Sequence, residues 1–274
     1  MIIYAKIRPN GEYHSHNIAH AVYGFREMGF EIVKYEKIQD IYELVTREDI
    51  VLDYIQQCLT IFDKFGVKPH LENYPEVLKP YMGRNVWTDT IDSINTTPEK
   101  WDIFVKPRKE KAFTGKVINS PKDLIGCGSC YENYEVYCSE KVDILREWRG
   151  FIYYDKLIDL RPYNGNWCFN YDSNVIDKAV KSFIKWKDRP VACSLDFALI
   201  SKSVFYDNNG NVVDYETDCE SEIQQTIFLE ANDAYALGNY GLHHIMYAKM
   251  ISARWSQLLE REDECKFEVY YGTG

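Results

Sequence analysis

The chain of 274 residues is long enough for one large domain or two ordinary ones, and 46% hydrophobic with 15% aromatic residues excludes a disordered chain. A formal charge of -10 excludes nucleic acid as the main partner, because binding to its backbone is driven by basic side chains, although a local basic patch can still hold a nucleotide. The first twenty residues carry charge and histidine where a secretory leader needs an apolar run, and no later run approaches membrane-spanning length. A cytoplasmic protein with no membrane partner is expected, and its eight cysteines (58, 127, 130, 138, 168, 193, 219, 265) are expected to be free thiols.

In chain order, Ile2 to Ala5 reads as a strand, and a helix follows from about His16 to Met28, with Ile18, Ala21, Val22 and Phe25 on one face and Gly29 at its end. Phe30 to Tyr35 is strand-like, so strand, helix and strand form a small α/β layer. A second helix is expected from about Ile50 to Phe65, stopped by Gly66. Four prolines between 68 and 100 suit a connection, and the domain boundary is placed near 98, giving units 1–98 and 99–274. Beyond it come strand signals at 102–106, 134–142, 147–161, 191–200, 203–215 and 226–231, interrupted by a helix from about Val175 to Trp186. Asn208 to Asn211 marks a hairpin turn. A last helix runs from Leu242 to about Leu259, with Ile245, Ala248, Ile251 and Leu258 on its apolar face.

Three clusters carry chemistry. Lys106 ends a strand, and with Arg108, Lys109, Lys111 and the turn Thr114-Gly115-Lys116 it forms a basic run in an acidic protein, suited to phosphate or to a solvated hairpin. Arg149 and Arg161 lie twelve residues apart on neighbouring strand-like segments, so a hairpin would point both guanidinium forks into one site. Surface ion pairs with Glu147 and Asp159 are the plainer alternative for those arginines. Asp196 and Glu230 are each embedded in an apolar strand, and Asn232 shares a face with Glu230. Buried carboxylates call for a cation, and these oxygens suit magnesium while leaving room for phosphate; a satisfied structural carboxylate is the plainer alternative.

Lys106 after an apolar strand, Ser139-Glu140-Lys141-Val142, Glu147-Trp148-Arg149, the distal Arg161, the Asp196 strand and Leu229-Glu230-Ala231-Asn232 together resemble the ATP-grasp superfamily, most closely its two-arginine, one-lysine clade. The similarity covers roughly residues 100 to 245. It implies an α/β and α+β protein, with an ATP-grasp domain of two α+β subdomains after a small α/β pre-ATP-grasp domain. By position it implies that Lys106 holds ATP phosphate, Glu140 and Val142 form the adenine hinge and Glu147 meets the ribose or a neighbouring polar group. Thr114, Gly115 and Lys116 would complete the ATP contacts. Asp196, Glu230 and Asn232 would bind Mg2+, and Arg149 and Arg161 would face the transferring phosphoryl group. The 34 positions from Asp196 to Glu230 exceed the short hairpin common in the superfamily, which makes Asp196 the least secure ligand.

The implied activity is an ADP-forming carboxylate-amine ligase acting on amino-acid or peptide substrates with ATP and Mg2+. The alternatives are a non-catalytic nucleotide- or peptide-binding module and a phosphotransferase on the same fold. Asp214, Glu216, Asp218, Glu220 and Glu222 alternate as an extended solvated loop or as a site for a cation. Cys127 with Cys130 has redox or zinc spacing but no second ligand pair, His16 with His20 has helical metal spacing that a helix can carry without a function, and His243 with His244 reads as structural or as lying near the site after the Asn232 loop.

Overall fold

The computed structural model describes residues 1–108, 112–128, 132–206, 209, 211–213 and 220–267. Its first sheet is parallel and three-stranded, with β1 (Ile2–Lys6) between β2 (Glu31–Tyr35) and β3 (Ile50–Leu52). Ile3, Tyr4 and Ala5 are buried in sequence, as a strand covered on both faces requires. Helix α1 (His16–Glu27) starts where Ser15 accepts from the Ile18 N–H, and it buries Ile18, Ala21, Val22 and Phe25. Gly29 follows it at φ +87, the left-handed conformation that ends helices.

After the short α2 (Ile38–Ile41), the helix expected from Ile50 divides. Ile50, Val51 and Leu52 form β3, and α3 starts only at Ile55 and runs to Lys64. Periodicity cannot separate a fully buried strand from the helix that follows it, and pairing with β1 decides the matter here.

The second sheet is antiparallel, in the order β4-β7-β5-β6: β4 (Val86–Thr90), β5 (Ile103–Pro107), β6 (Lys116–Ile118) and β7 (Glu135–Glu140). Thr90 caps α4 (Ile91–Thr96), whose Ile91 and Ile94 pack with Val105, Ile118, Val136 and Cys138. Because β4 precedes residue 98 and pairs with β7, position 98 lies between two strands of one sheet.

The third sheet carries β8 (Asp143–Tyr153), β9 (Lys156–Gly165), β10 (Ala192–Tyr206), β11 (Val212–Val213) and β12 (Glu220–Asp233). β9, β8, β10 and β12 lie side by side, and β11 pairs the far end of β10. The paired β10 and β11 accord with the expected hairpin, although 207, 208 and 210 lie outside the described residues. So do 109–111, Cys130 and 214–219, and with them most of the acidic run; its Glu222 lies on β12 opposite Ser203.

One face of this sheet is covered by α5 (Ser173–Ile184) through Ile176, Ala179, Val180 and Phe183. The last helix, α6 (His244–Leu258), is buried on most sides, because it packs against α1 and shares a core with the first sheet. Phe62 of α3 meets Trp255 of α6 at a ring-centroid distance of 4.3 Å. Among the described residues, the cysteines form no disulfide, and no helix is long and apolar enough to cross a membrane.

Candidate functional site

The third sheet places four charged residues in one row. Arg161 on β9 is opposite Arg149 on β8, Arg149 is opposite Asp196 on β10, and Asp196 is opposite Glu230 on β12. Directly paired positions project from the same face, so the twelve-residue spacing of the arginines does aim both at one side. A register shift follows immediately after Asp196 in the β10–β12 pairing, an irregularity that re-aims side chains.

Within this row the partners differ from those expected. Arg149 Nε and Nη2 donate to Asp196 Oδ1 and Oδ2 at 2.8 and 2.6 Å, and the two side chains are 10% and 2% exposed. Burial pushes the Asp196 carboxyl up and opposes the guanidinium charge, but two short parallel hydrogen bonds are the geometry of an ionised pair. Asp196 therefore has both oxygens on a guanidinium, although it was expected as a metal ligand. Arg161 pairs with Asp159 on its own strand, at 2.6 Å, which was the plainer alternative for it.

Lys106, at the end of β5, reaches across from the second sheet to form an ion pair with Glu230. Burial works against both charges, yet each holds the other: the ammonium keeps its pKa above the ordinary value and the carboxylate stays below its own. The Asn232 amide nitrogen lies 3.1 Å from Glu230 Oε1 and 3.2 Å from Asp196 Oδ2. The chemistry of this donor set fits a hard cation, because Glu230 and Asn232 share a strand face and offer oxygen once the amide turns over. Asp196 fits it less well while Arg149 occupies both its oxygens. Among the described residues, no three His, Cys, Asp or Glu side chains gather as a metal cluster. Cys127, His16 with His20, and His243 with His244 accordingly stay outside any such centre.

Two clefts meet at the row. One, of about 350 Å³, lies between the second and third sheets, with Phe104, Val117, Val142, Ile144 and Leu229 as its apolar walls. Its polar rim includes Glu140, Glu147 and Glu230. Glu147 accepts from Tyr163 Oη and the Asn164 amide at 2.8 and 2.6 Å. Gly115 permits close approach at the edge, since a Cβ there would stand 2.7 Å from Phe104 Cζ. Thr114 is exposed, and the Lys116 ammonium binds the Ile125 carbonyl at 3.1 Å rather than the Lys106–Glu230 pair. The other cleft, of about 680 Å³, is lined by Arg149, Asn232, Arg108 and Tyr137.

Tyr74 and Arg84 were missed by sequence reasoning, which read their segment only as a connection. Arg84 donates to the Phe228 and Leu229 carbonyls at 3.0 Å and lies over Tyr74, which also faces Lys106. The one available signal was Gly83 before an isolated arginine. Gly83 has φ +60, and a Cβ there would overlap Ile227 Cγ2 of β12. Gly83→Ala is expected to lower stability by about 1–3 kcal/mol, from left-handed strain plus displacement of Ile227, as read by thermal denaturation.

A cleft of about 350 Å³ between two sheets, bordered by Glu230 with its Lys106 partner, agrees with one family. Residues 81–250 match the family model for the ATP-grasp domain, family 2 of the two-arginine, one-lysine clade. The chain belongs to this family of ATP-grasp domains. Comparison with curated protein sequences gives no match.

Among solved structures, this ATP-grasp chain is similar to the D-alanine–D-alanine ligase of Bacillus anthracis complexed with ATP. The TM-score is 0.50 and the identity 12%, over 95% of this chain and 98% of the other, which shows the shared fold. N5-carboxyaminoimidazole synthetase of Staphylococcus aureus is similar at TM-score 0.49 and 12% identity, over 96% of this chain and 78% of the other. The macrocyclase MdnC of Microcystis aeruginosa, bound with precursor peptide MdnA, is similar at 0.44 and 10%, over 92% and 100%.

Proposed function

We propose that this ATP-grasp protein is an ADP-forming carboxylate-amine ligase working through an acylphosphate. The observation that carries the reading is the charged row from Arg161 to Glu230, joined by Lys106 and lying where the two clefts meet. ATP binds in the smaller cleft, with adenine against Val142 and Glu140, ribose near Glu147, and phosphates on Lys106. The other cleft holds the substrates.

A carboxylate oxygen attacks the γ-phosphorus, the bond to the bridging oxygen breaks, and ADP leaves. The nitrogen lone pair of an amine then attacks the acyl carbon. An amide forms, phosphate departs with the C–O bond electrons, and the amine gives up a proton. Arg149 and Arg161 place donors toward charge that develops on the transferring oxygens, an electrostatic role that needs no covalent nucleophile on the protein. Asp196 orients the Arg149 fork. A magnesium ion held by Glu230 and Asn232 would supply charge neutralisation on the phosphate oxygens.

The test follows ADP and free phosphate while carboxylates and amines are offered to the full chain. Equal ADP and phosphate, dependent on both substrates, is expected. ADP with a stable phosphorylated product would instead mark a phosphotransferase, and ATP binding without turnover a binding module.

A further inference from the structure

Ile55, Tyr235, Ala236 and Leu237 line the larger cleft and also line a smaller recess of about 100 Å³ beneath the first sheet. The recess sits at the carboxyl end of β3, the edge of a parallel sheet where loops leave room for ligands. Ile18, Ala21 and Ile251 form its apolar wall, and Asp53 stands on its polar side with Ser15 and Asn17.

Asp53 is 8% exposed. Its Oδ2 accepts from Tyr35 Oη at 2.6 Å and its Oδ1 from the Tyr54 N–H at 2.7 Å. No Lys, Arg or His among the described residues pairs with it. Two other aspartates, the buried Asp196 and Asp233, whose side chain is 8% exposed, are each gripped by an arginine fork. Asp49 also lacks a cation, but it accepts from the Ile2 N–H and from both the N–H and hydroxyl of Thr46, and it lines none of the cavities described above. Asp53 alone of these combines a buried negative charge, no protein cation and an open recess. A buried carboxylate is costly without a positive partner, so the recess is complementary to a cation that arrives with the ligand.

The size of the recess says what kind of cation. Its volume is roughly that of three waters, enough for an ammonium head and its first carbons but not for a whole substrate. The larger cleft shares four lining residues with the recess and also borders Arg149, so it can take the remainder of the molecule. An ammonium held by a carboxylate has no lone pair while it stays protonated there, so the nitrogen anchored in the recess is not the attacking one.

We propose that Asp53 binds the free ammonium of an aminocarboxylate, an amino acid or a short peptide, whose carboxylate at the other end is the group activated beside Arg149. This assignment rests on the ligase reading and adds to it which substrate is bound where. The recess reads the free amino terminus, and the larger cleft sets the length from ammonium to carboxylate.

Hydroxylamine makes the test independent of the natural amine, since its nitrogen attacks an acylphosphate to give a hydroxamate and free phosphate. The full chain, with ATP and magnesium, is offered α-amino acids, ω-amino acids and dipeptides, each beside its N-acetyl counterpart. Free aminocarboxylates are expected to yield hydroxamate with a kcat/KM about a hundredfold above that of the acetylated forms. Asp53→Asn is expected to lower kcat/KM for the free form by a similar factor through KM, erasing that preference while the KM for ATP stays within about twofold. Equal use of free and acetylated forms by the parent protein overturns the assignment without reference to any variant, and so does an Asp53→Asn protein that keeps the preference. If none of the carboxylates, free or acetylated, gives hydroxamate, the ligase reading itself fails and takes this assignment with it.

Discussion

Arg149→Met is expected to destabilise the protein by about 3–5 kcal/mol and to abolish turnover. The reason is the partner left behind: Asp196 is 1% exposed, and without the fork it is a buried charge with no cation opposite it and only the Asn232 amide as a donor. Urea denaturation reads the loss. Arg149→Met combined with Asp196→Asn is expected to regain much of that stability but none of the activity. Arg149→Lys keeps the charge and loses the planar fork, so turnover should fall on the order of a hundredfold with ATP affinity nearly unchanged. If Arg149→Lys turns over like the parent, the guanidinium serves the fold alone and the proposed electrostatic role is wrong.

The second large effect is expected at Glu230. Glu230→Gln removes the charge that faces Lys106 and the oxygen donor proposed for magnesium, and turnover should fall by about a thousandfold or more. Its pH signature is specific. The folded-state pKa of Glu230 lies below the ordinary carboxylate value, so the pair's contribution to stability is fully present above that ordinary value and is lost as pH falls through the folded one. Denaturation of the nucleotide-free protein at a series of pH values below about 4.5 should therefore show a steeper loss in the parent than in Glu230→Gln. Parallel curves would remove the Lys106 pair from the account.

Several side chains of the candidate site stand out in the sequence, because their chemistry is written in local context. A lysine closing an apolar strand, carboxylates embedded in apolar runs and an arginine on each of two adjacent strands are all short-range patterns. What stayed hidden is long-range. Asp196 finds Arg149 across 47 positions, a pairing that strand register decides and spacing cannot. Tyr74 and Arg84 lay in a proline-containing stretch that read as a connection, and only the crossing over β12 makes them part of the cleft. The helix expected from Ile50 failed for a related reason, since its first three residues are claimed by a neighbouring strand. Asp53 was unreadable for the same reason, as the two residues after that strand form the turn into α3.

The contact between α1 and α6 has a consequence for how the molecule is made. Gly24 of α1 lies so close to α6 that a Cβ would overlap the His244 backbone carbonyl, and Trp255 fills the space beside Phe62. The first three strands and their helices emerge early from the ribosome, yet their apolar surface stays uncovered until α6 has been synthesised, at residues 244–258. Contacts of such high sequence separation form late, because closing the loop costs entropy before packing returns it. The amino-terminal layer is thus a dependent folding unit. A nascent chain released before residue 244 would expose the faces of α1 and α3 that α6 normally covers, and would be a natural substrate for chaperones.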